Sequence, residues 1–201
     1  KKSKVKENLE FYSVMRSVRA IENADVCILL FDISRGFDTQ VKNIFWLCER
    51  NKKGIVLIAN KWDLIEKNTN TTKDYEKIIR KEIEPFTNVN IIFVSTLNKQ
   101  RIHKAIETAV KVFKGRKEKI KTRKLNDILL PVIDSYPPPA TKGKYVKIKY
   151  ITQLPTAYPQ FAFFCNLPQY VKEPYKRFLE NKIRENFDFT GVPISIFLRK
   201  K

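Results

Sequence analysis

The chain has 201 residues, 43% of them hydrophobic, with 40 Lys and Arg against 21 Asp and Glu and a formal net charge of +19. That is room for one large or two small cored domains, and because the longest apolar runs are strand-sized, neither a membrane-spanning helix nor a signal peptide is expected. So large a positive charge implies a polyanionic partner, nucleic acid or an anionic membrane face. Cys27, Cys48 and Cys165 stand far apart in apolar contexts without metal-ligand spacing, as reduced thiols of a cytoplasmic protein would.

Lys1, Lys2, Lys4 and Lys6 open the chain. A helix is predicted from Glu7 to Glu22, because Leu9, Tyr12, Val14, Met15, Val18 and Ile21 recur at three- and four-residue steps. Val26 to Phe31 reads as a buried strand ending at Asp32, and Thr39 to Arg50 as a helix with Val41, Ile44, Phe45, Leu47 and Cys48 on its inner side. Behind Gly54, Ile55 to Ala59 is a continuous apolar run, the pattern of a parallel strand buried on both faces. Thr72 to Ile83 is a third helix, stopped before Pro85. Ile91 to Val94 is a third strand, and Arg101 to Phe113 a fourth helix ending near Gly115. Strands alternating with helices imply an α/β unit with a parallel sheet.

A basic linker follows. Lys114, Arg116, Lys117, Lys119, Lys121, Arg123 and Lys124 are opposed only by Glu118, which suits a phosphate-contacting arm as well as a solvated connector. A second unit then reads α-β-β-α-β: a helix from Leu125 to Ile133, strands from Tyr145 to Ile151 and Gln160 to Asn166, a helix from Glu173 to Phe187, and a strand from Pro193 to Leu198. In the first of these strands Val146, Ile148 and Tyr150 are expected on the buried face, with Lys147 and Lys149 outside. The boundaries expected are residues 1–115 for the α/β unit, 116–124 for the linker and 125–201 for a small α+β unit. The charge is uneven: residues 1–113 hold 21 basic and 14 acidic side chains, residues 114–201 hold 19 and 7. The polyanion should therefore meet the C-terminal part. No exposed aromatic is expected among its basic residues, which points to phosphates rather than bases.

The apolar run from Ile55 ends in Asn60-Lys61-Trp62-Asp63. Ligands of open α/β sheets sit outside the carboxyl ends of the strands. The Asp63 carboxylate can accept two parallel hydrogen bonds from guanine, at the ring N1–H and the exocyclic amine. Adenine offers no such pair, and a site built this way can reject it by roughly 10⁴-fold or more. The Lys61 stem can lie along the base plane while its charge stays wet, and the Asn60 amide can tie the turn to neighbouring loops. Ser95-Thr96-Leu97 ends the next strand, on the same sheet edge, where a backbone N–H can donate to the guanine carbonyl. The competing reading is a solvated turn that happens to spell Asn-Lys-x-Asp.

Other signals are missing. The five glycines, at positions 36, 54, 115, 143 and 191, form neither a Gly-x-x-x-x-Gly-Lys-Ser/Thr phosphate loop nor the Gly-x-x-Gly clamp of single-strand RNA binders. Asp188-Phe189-Thr190-Gly191 spells the Asp-x-x-Gly of a magnesium and γ-phosphate switch, but lies between a helix and a strand of the second unit. His103, the sole histidine, reads as structural or exposed. No catalytic residue and no metal ligand is assigned.

Asn60-Lys61-Trp62-Asp63-Leu64 with Ser95-Thr96-Leu97 resembles the guanine-reading pair of translation-factor-type GTPases. The stretch from Glu7 to Val26, Tyr136-Pro137-Pro138-Pro139, and the stretch from Pro174 to Arg184 resemble the Der (EngA) family specifically. Those bacterial GTPases have two tandem G domains and a C-terminal KH-like domain and assist assembly of the large ribosomal subunit. The resemblance implies that this chain runs from inside the second G domain to the end, as a fragment lacking the phosphate loop and switches. Thr96 stands where such GTPases usually have Ala, and the absent Gly-x-x-Gly agrees with a KH-like fold that lacks the RNA clamp.

The resemblance implies GTP or GDP as ligand, with Mg2+ bound only by a parent protein that carries the missing segment. It implies the large ribosomal subunit or its rRNA as partner of the linker lysines and arginines and of Lys147 and Lys149. Two functions remain open: the base-reading half of a GTPase joined to its KH-like domain, or a basic RNA- or ribosome-binding module without turnover. The isolated chain is expected to lack hydrolysis, since phosphoryl transfer needs phosphate and magnesium contacts. A membrane-surface role is disfavoured because no helix segregates Lys and Arg from a broad apolar face.

Overall fold

The computed structural model describes residues 15–141 and 143–200. The chain forms two compact units, Lys1–Phe113 and Lys114–Lys201. Lys1 to Lys6 and the first half of the helix expected from Glu7 lie outside the described residues; its remainder is helical over residues 15–23 (α1).

The first unit continues through β1 (Val26–Asp32), α2 (Thr39–Arg50), β2 (Gly54–Asn60), α3 (Thr71–Glu82), β3 (Asn90–Phe93) and α4 (Ile102–Lys117). The sheet is parallel, in the order β1-β2-β3. β2 is central and buried from Gly54 to Ala59, which is why its apolar run is unbroken. Asp38 caps α2 by accepting from the Val41 N–H at 2.9 Å. Phe45 and Cys48 of α2 and Ile79 of α3 are buried in one cluster with Ile55, Leu57 and Ala59 of β2.

β1 departs from the reading as a fully buried strand. Leu29 and Phe31 are buried, but Ile28 is 48% exposed and Leu30 58%. β1 is an edge strand, and its Ile28 and Leu30 are exposed where their register partners on β2, Val56 and Ile58, are buried.

Gly54 marks a close approach. A Cβ there would lie 2.6 Å from Val112 Cγ1 of α4 and 3.0 Å from Val26 Cγ2. Val112 is only 2% exposed and stiff at χ1, so it cannot swing aside. Gly54→Ala should destabilise the first unit by about 1–3 kcal/mol. Urea midpoints would show it, and Val112→Ala in the same chain should recover part of the loss.

α4 runs through Gly115 rather than stopping there, because the bare Cα admits the neighbouring backbone: a Cβ would stand 3.3 Å from the Asp188 carbonyl oxygen. The residues expected as a linker are thus largely helical, with only residues 118–121 between α4 and α5. Lys114, Arg116 and Lys117 occupy the last turn of α4, where cations suit the helix dipole.

The second unit comprises α5 (Thr122–Ser135), β4 (Ile148–Gln153), β5 (Gln160–Cys165), α6 (Glu173–Asn186) and β6 (Ser195–Lys200), the α-β-β-α-β order expected. β4 pairs antiparallel with β5, and β5 parallel with β6. α5 and α6 cover one face, burying Leu125, Leu129, Ile133, Leu179 and Ile183 along with Ile151, Phe161 and Phe163 of the strands. Asn126 of α5 bonds both backbone groups of Ile151, at 2.8 and 2.9 Å, and so satisfies the open edge of β4.

The expected alternation in β4 breaks at Lys149. Ile148 pairs with Cys165 and Tyr150 with Phe164, so Lys149 is an extra, bulged residue. Tyr150 is turned outward, 38% exposed, and Ile151 takes the buried side. The Asp188 to Gly191 string is a structural turn: Asp188 Oδ1 accepts from the Thr190 N–H at 3.1 Å, and Phe189 is buried edge-on to Phe161.

Candidate functional site

Asp32, Asn60 and the Ser95 loop all follow the carboxyl ends of parallel strands and so share one sheet edge. The ladder continues past β3: the Val94 N–H donates to the Ala59 carbonyl at 2.9 Å, and the Trp62 N–H to the Val94 carbonyl at 3.0 Å. Trp62 is buried, with ring centroids 4.5 Å from Phe93 and 5.7 Å from Tyr75. The variable position of Asn-Lys-x-Asp is therefore an anchor that fixes the direction of its neighbours.

Lys61 turns the chain. It adopts the left-handed region, φ 63° and ψ 33°, a conformation that strains a side-chain-bearing residue. Its Nζ lies 2.6 Å from Asp32 Oδ2. Asp32 also accepts from the Ser34 N–H at 3.0 Å and from Ser34 Oγ at 2.6 Å. The Lys61 ammonium, followed by the Ser34 hydroxyl, holds the Asp32 carboxyl down at about 2.

Asn60 joins the two expected loops. Its Oδ1 accepts from the Thr96 N–H at 3.1 Å and its Nδ2 donates to Thr96 Oγ1 at 3.2 Å. The hydroxyl that distinguishes Thr96 from Ala thus has a partner. The Thr96 N–H can serve a base carbonyl only by sharing or releasing its bond to Asn60. Among the described residues the Leu97 N–H makes no hydrogen bond, and the Leu97 side chain is 81% exposed. Ser95 faces inward, fully buried, its Oγ accepting from the Asn98 N–H at 3.1 Å, so it shapes the turn. The half-buried Asp63 carboxylate makes no hydrogen bond among the described residues.

Asp32 is the site residue that sequence reasoning missed. The available signal was an acid ending the strand next to the motif, readable once the order β1-β2-β3 is known. Its depressed pKa fixes a pH dependence. The stability it adds is present above the ordinary carboxylate value of 3.8 and is lost as pH falls through about 2. Asp32→Asn should lower the urea midpoint at pH 7 and at pH 5, and the difference from the parent should shrink below the ordinary carboxylate value and vanish only below about pH 2.

Of the docking residues expected, Lys114, Lys117, Lys119, Lys121, Arg123, Lys124, Lys147 and Lys149 are exposed. Arg116 is only 5% exposed and drops out of the set. Lys119 Nζ donates to the Thr156 carbonyl at 3.1 Å, Arg123 lies 3.6 Å from Asp127, and Lys124 Nζ sits 5.5 Å from the centre of the Phe187 ring. His103 is exposed. Among the described residues no cluster of three or more His, Cys, Asp or Glu side chains could hold a metal ion, so no magnesium contact is assigned to them. No described helix is long and apolar enough to cross a membrane.

Residues 11–136 match the family of elongation factor Tu GTP-binding domains, and residues 119–199 match the KH-domain-like C-terminal family of EngA bacterial GTPase enzymes. All 201 residues align at 72% identity with the GTPase Der of Christiangramia forsetii, covering 46% of that protein. The GTPase Der of Flavobacterium johnsoniae is 66% identical over 201 residues and that of Porphyromonas gingivalis 56% over 202, again with all of this chain and 46% of each relative covered. The chain belongs to the GTPase Der family. It spans about half the length of the curated Der relatives it matches. The GTP-binding match runs from the first unit through α5, and the KH-like match lies within the second unit.

Proposed function

We propose that the first unit is the guanine-reading part of a GTP-binding, GTP-hydrolysing protein, and that the second docks the protein on the large ribosomal subunit or its rRNA. The observation that carries the first half is the unpaired Asp63 carboxylate, held at a sheet edge by the buried Trp62 and flanked by Lys61 and the Asn60–Thr96 tie. Asp63 receives the N1–H and amine of guanine, Lys61 lies along the ring, and the Thr96–Leu97 backbone supplies a donor for the carbonyl. The name GTPase borne by the relatives supports the reading.

For the second half, the support is charge. The exposed lysines and arginines from Lys114 to Lys124, with Lys147 and Lys149, lie in the unit with the larger basic excess. The experiment is calorimetry of the full 201-residue chain with GDP and with ADP. The proposed base-reading residues are in this chain, but its sequence contains no Gly-x-x-x-x-Gly-Lys-Ser/Thr loop, and a phosphate cradle supplies most charge-assisted contacts. Weak binding that still favours GDP, without GTP turnover, is the expected result. Equal binding of ADP and GDP would remove Asp63 as the base reader.

A further inference from the structure

The second unit has a sheet face that its helices leave open. Register places Tyr150 of β4, Phe164 of β5 and Arg199 of β6 in one row across this face. The next row is Thr152, Ala162 and Phe197. The opposite face carries Ile151, Phe161 and Phe163, all fully buried. Tyr150 and Phe197 are 38% and 41% exposed, and the Tyr150 and Phe164 rings meet at 5.2 Å between centroids with planes 35° apart. The outward aromatics contradict the expectation of a basic surface without exposed rings.

The rings have a charged frame. Arg199 shares their row, Lys149 is pushed out by the bulge beside Tyr150, and both are exposed. The eighteen residues of β4, β5 and β6 include no Asp or Glu. Three aromatic faces beside cations, on a rigid sheet without a carboxylate, match unpaired nucleotides: bases stack on the rings and the backbone phosphates meet Lys149 and Arg199. A duplex gains little here, because its bases are already stacked on both faces. Tyr, Phe and Arg also suit protein interfaces, but Lys149 and strands without any Asp or Glu favour a polyanion over a protein partner.

We propose that the open face formed by Tyr150, Phe164 and Phe197, edged by Lys149 and Arg199, binds single-stranded RNA by stacking its bases. This rests on the rRNA-docking reading above and gives that reading a second contact mode, distinct from the phosphate contacts of residues 114–124.

The test is fluorescence anisotropy of the full chain with labelled oligo(U) and oligo(A) of about a dozen nucleotides, and with a duplex RNA of equal length, across a salt series. Tyr150→Leu and Phe197→Leu remove rings but keep apolar bulk at exposed positions, and thermal melts confirm the fold. Each should weaken single-strand binding about tenfold and leave duplex affinity and the salt slope unchanged. Lys149→Ala with Arg199→Ala should reduce the single-strand log–log salt slope by roughly 1.4. Single-strand affinity unaltered by both ring variants overturns the proposal while leaving phosphate docking intact. No RNA affinity at physiological salt overturns the docking reading itself. Ring variants that leave RNA binding unchanged but abolish self-association in the ultracentrifuge would reassign the face to contact between copies.

Discussion

Asp63→Asn is expected to move nucleotide preference from guanine to xanthine when these residues are carried on a chain of the curated relatives' full length. The carboxylate accepts from two adjacent donors on guanine. The amide replaces one acceptor by a donor, which clashes with the exocyclic amine and suits the second carbonyl of xanthine. Hydrogen bonds to charged groups contribute about 1.5–3 kcal/mol each, so losing one or both implies at least about a tenfold loss for GDP and as much as roughly 10⁴-fold. The backbone should not move, because Trp62 is buried against Phe93 and Tyr75 whatever occupies position 63. Competition of GDP and XDP for the same site is the measurement. An unchanged preference would assign base reading to another residue.

The local frame of this site depends on an opposition that the sequence hides. Lys61 is held in a left-handed conformation that typically costs about 1–3 kcal/mol for a residue with a side chain. Two neighbours offset it: Asp32, whose carboxylate grips the ammonium, and Trp62, whose burial fixes the next peptide. Beside this turn the half-buried Asp63 carboxylate makes no hydrogen bond among the described residues. A glycine at position 61 would relieve the backbone but lose both the link to Asp32 and the stem proposed to lie along the base.

Much of this was legible in sequence because the signals were local. Ile55 to Ala59 had to be a central parallel strand, since only a strand covered on both faces tolerates five apolar residues in a row. Thr39 to Arg50 was bounded by Asp38, whose side chain does cap the helix. The misses needed tertiary information. Alternation put Tyr150 inside, but the bulge at Lys149 shifts the phase by one residue and turns the ring out. Arg116 looks like its basic neighbours, and only its position in the last turn of α4, on a buried side of the helix, sets it apart. Asp32 is 28 residues from Asn60 in the chain and becomes its neighbour through parallel pairing. Ile28 and Leu30 spell a buried strand, and whether a strand face is covered is decided by distant elements that their local pattern does not show.

Reversing three charges at the start of the second unit should separate RNA affinity from stability. The variant is Lys117→Glu, Lys119→Glu and Lys121→Asp. Each phosphate contact removed lowers the log–log salt slope by about 0.7–0.9, so three contacts lower it by roughly 2–3. Repulsion adds to the loss, and at low salt affinity should fall by roughly two orders of magnitude or more for every RNA alike. Stability should change little, because the substitutions act in opposite directions. Glu at 117 faces the unfavourable end of the α4 dipole, costing about 0.3–1 kcal/mol. Lys121 is the N-cap of α5 and makes no side-chain capping bond, so Asp there can accept from a free helix N–H and contribute about 1 kcal/mol. The bond from Lys119 to the Thr156 carbonyl is exposed and contributes little. An unaltered melting curve with lost affinity places the phosphates on this segment. Neutral changes at His103 or Cys165, which face no expected phosphate, should leave the salt slope where it was. Equal salt slopes for the parent and the triple variant would move the polyanion contact off residues 114–124 and onto the rest of the second unit.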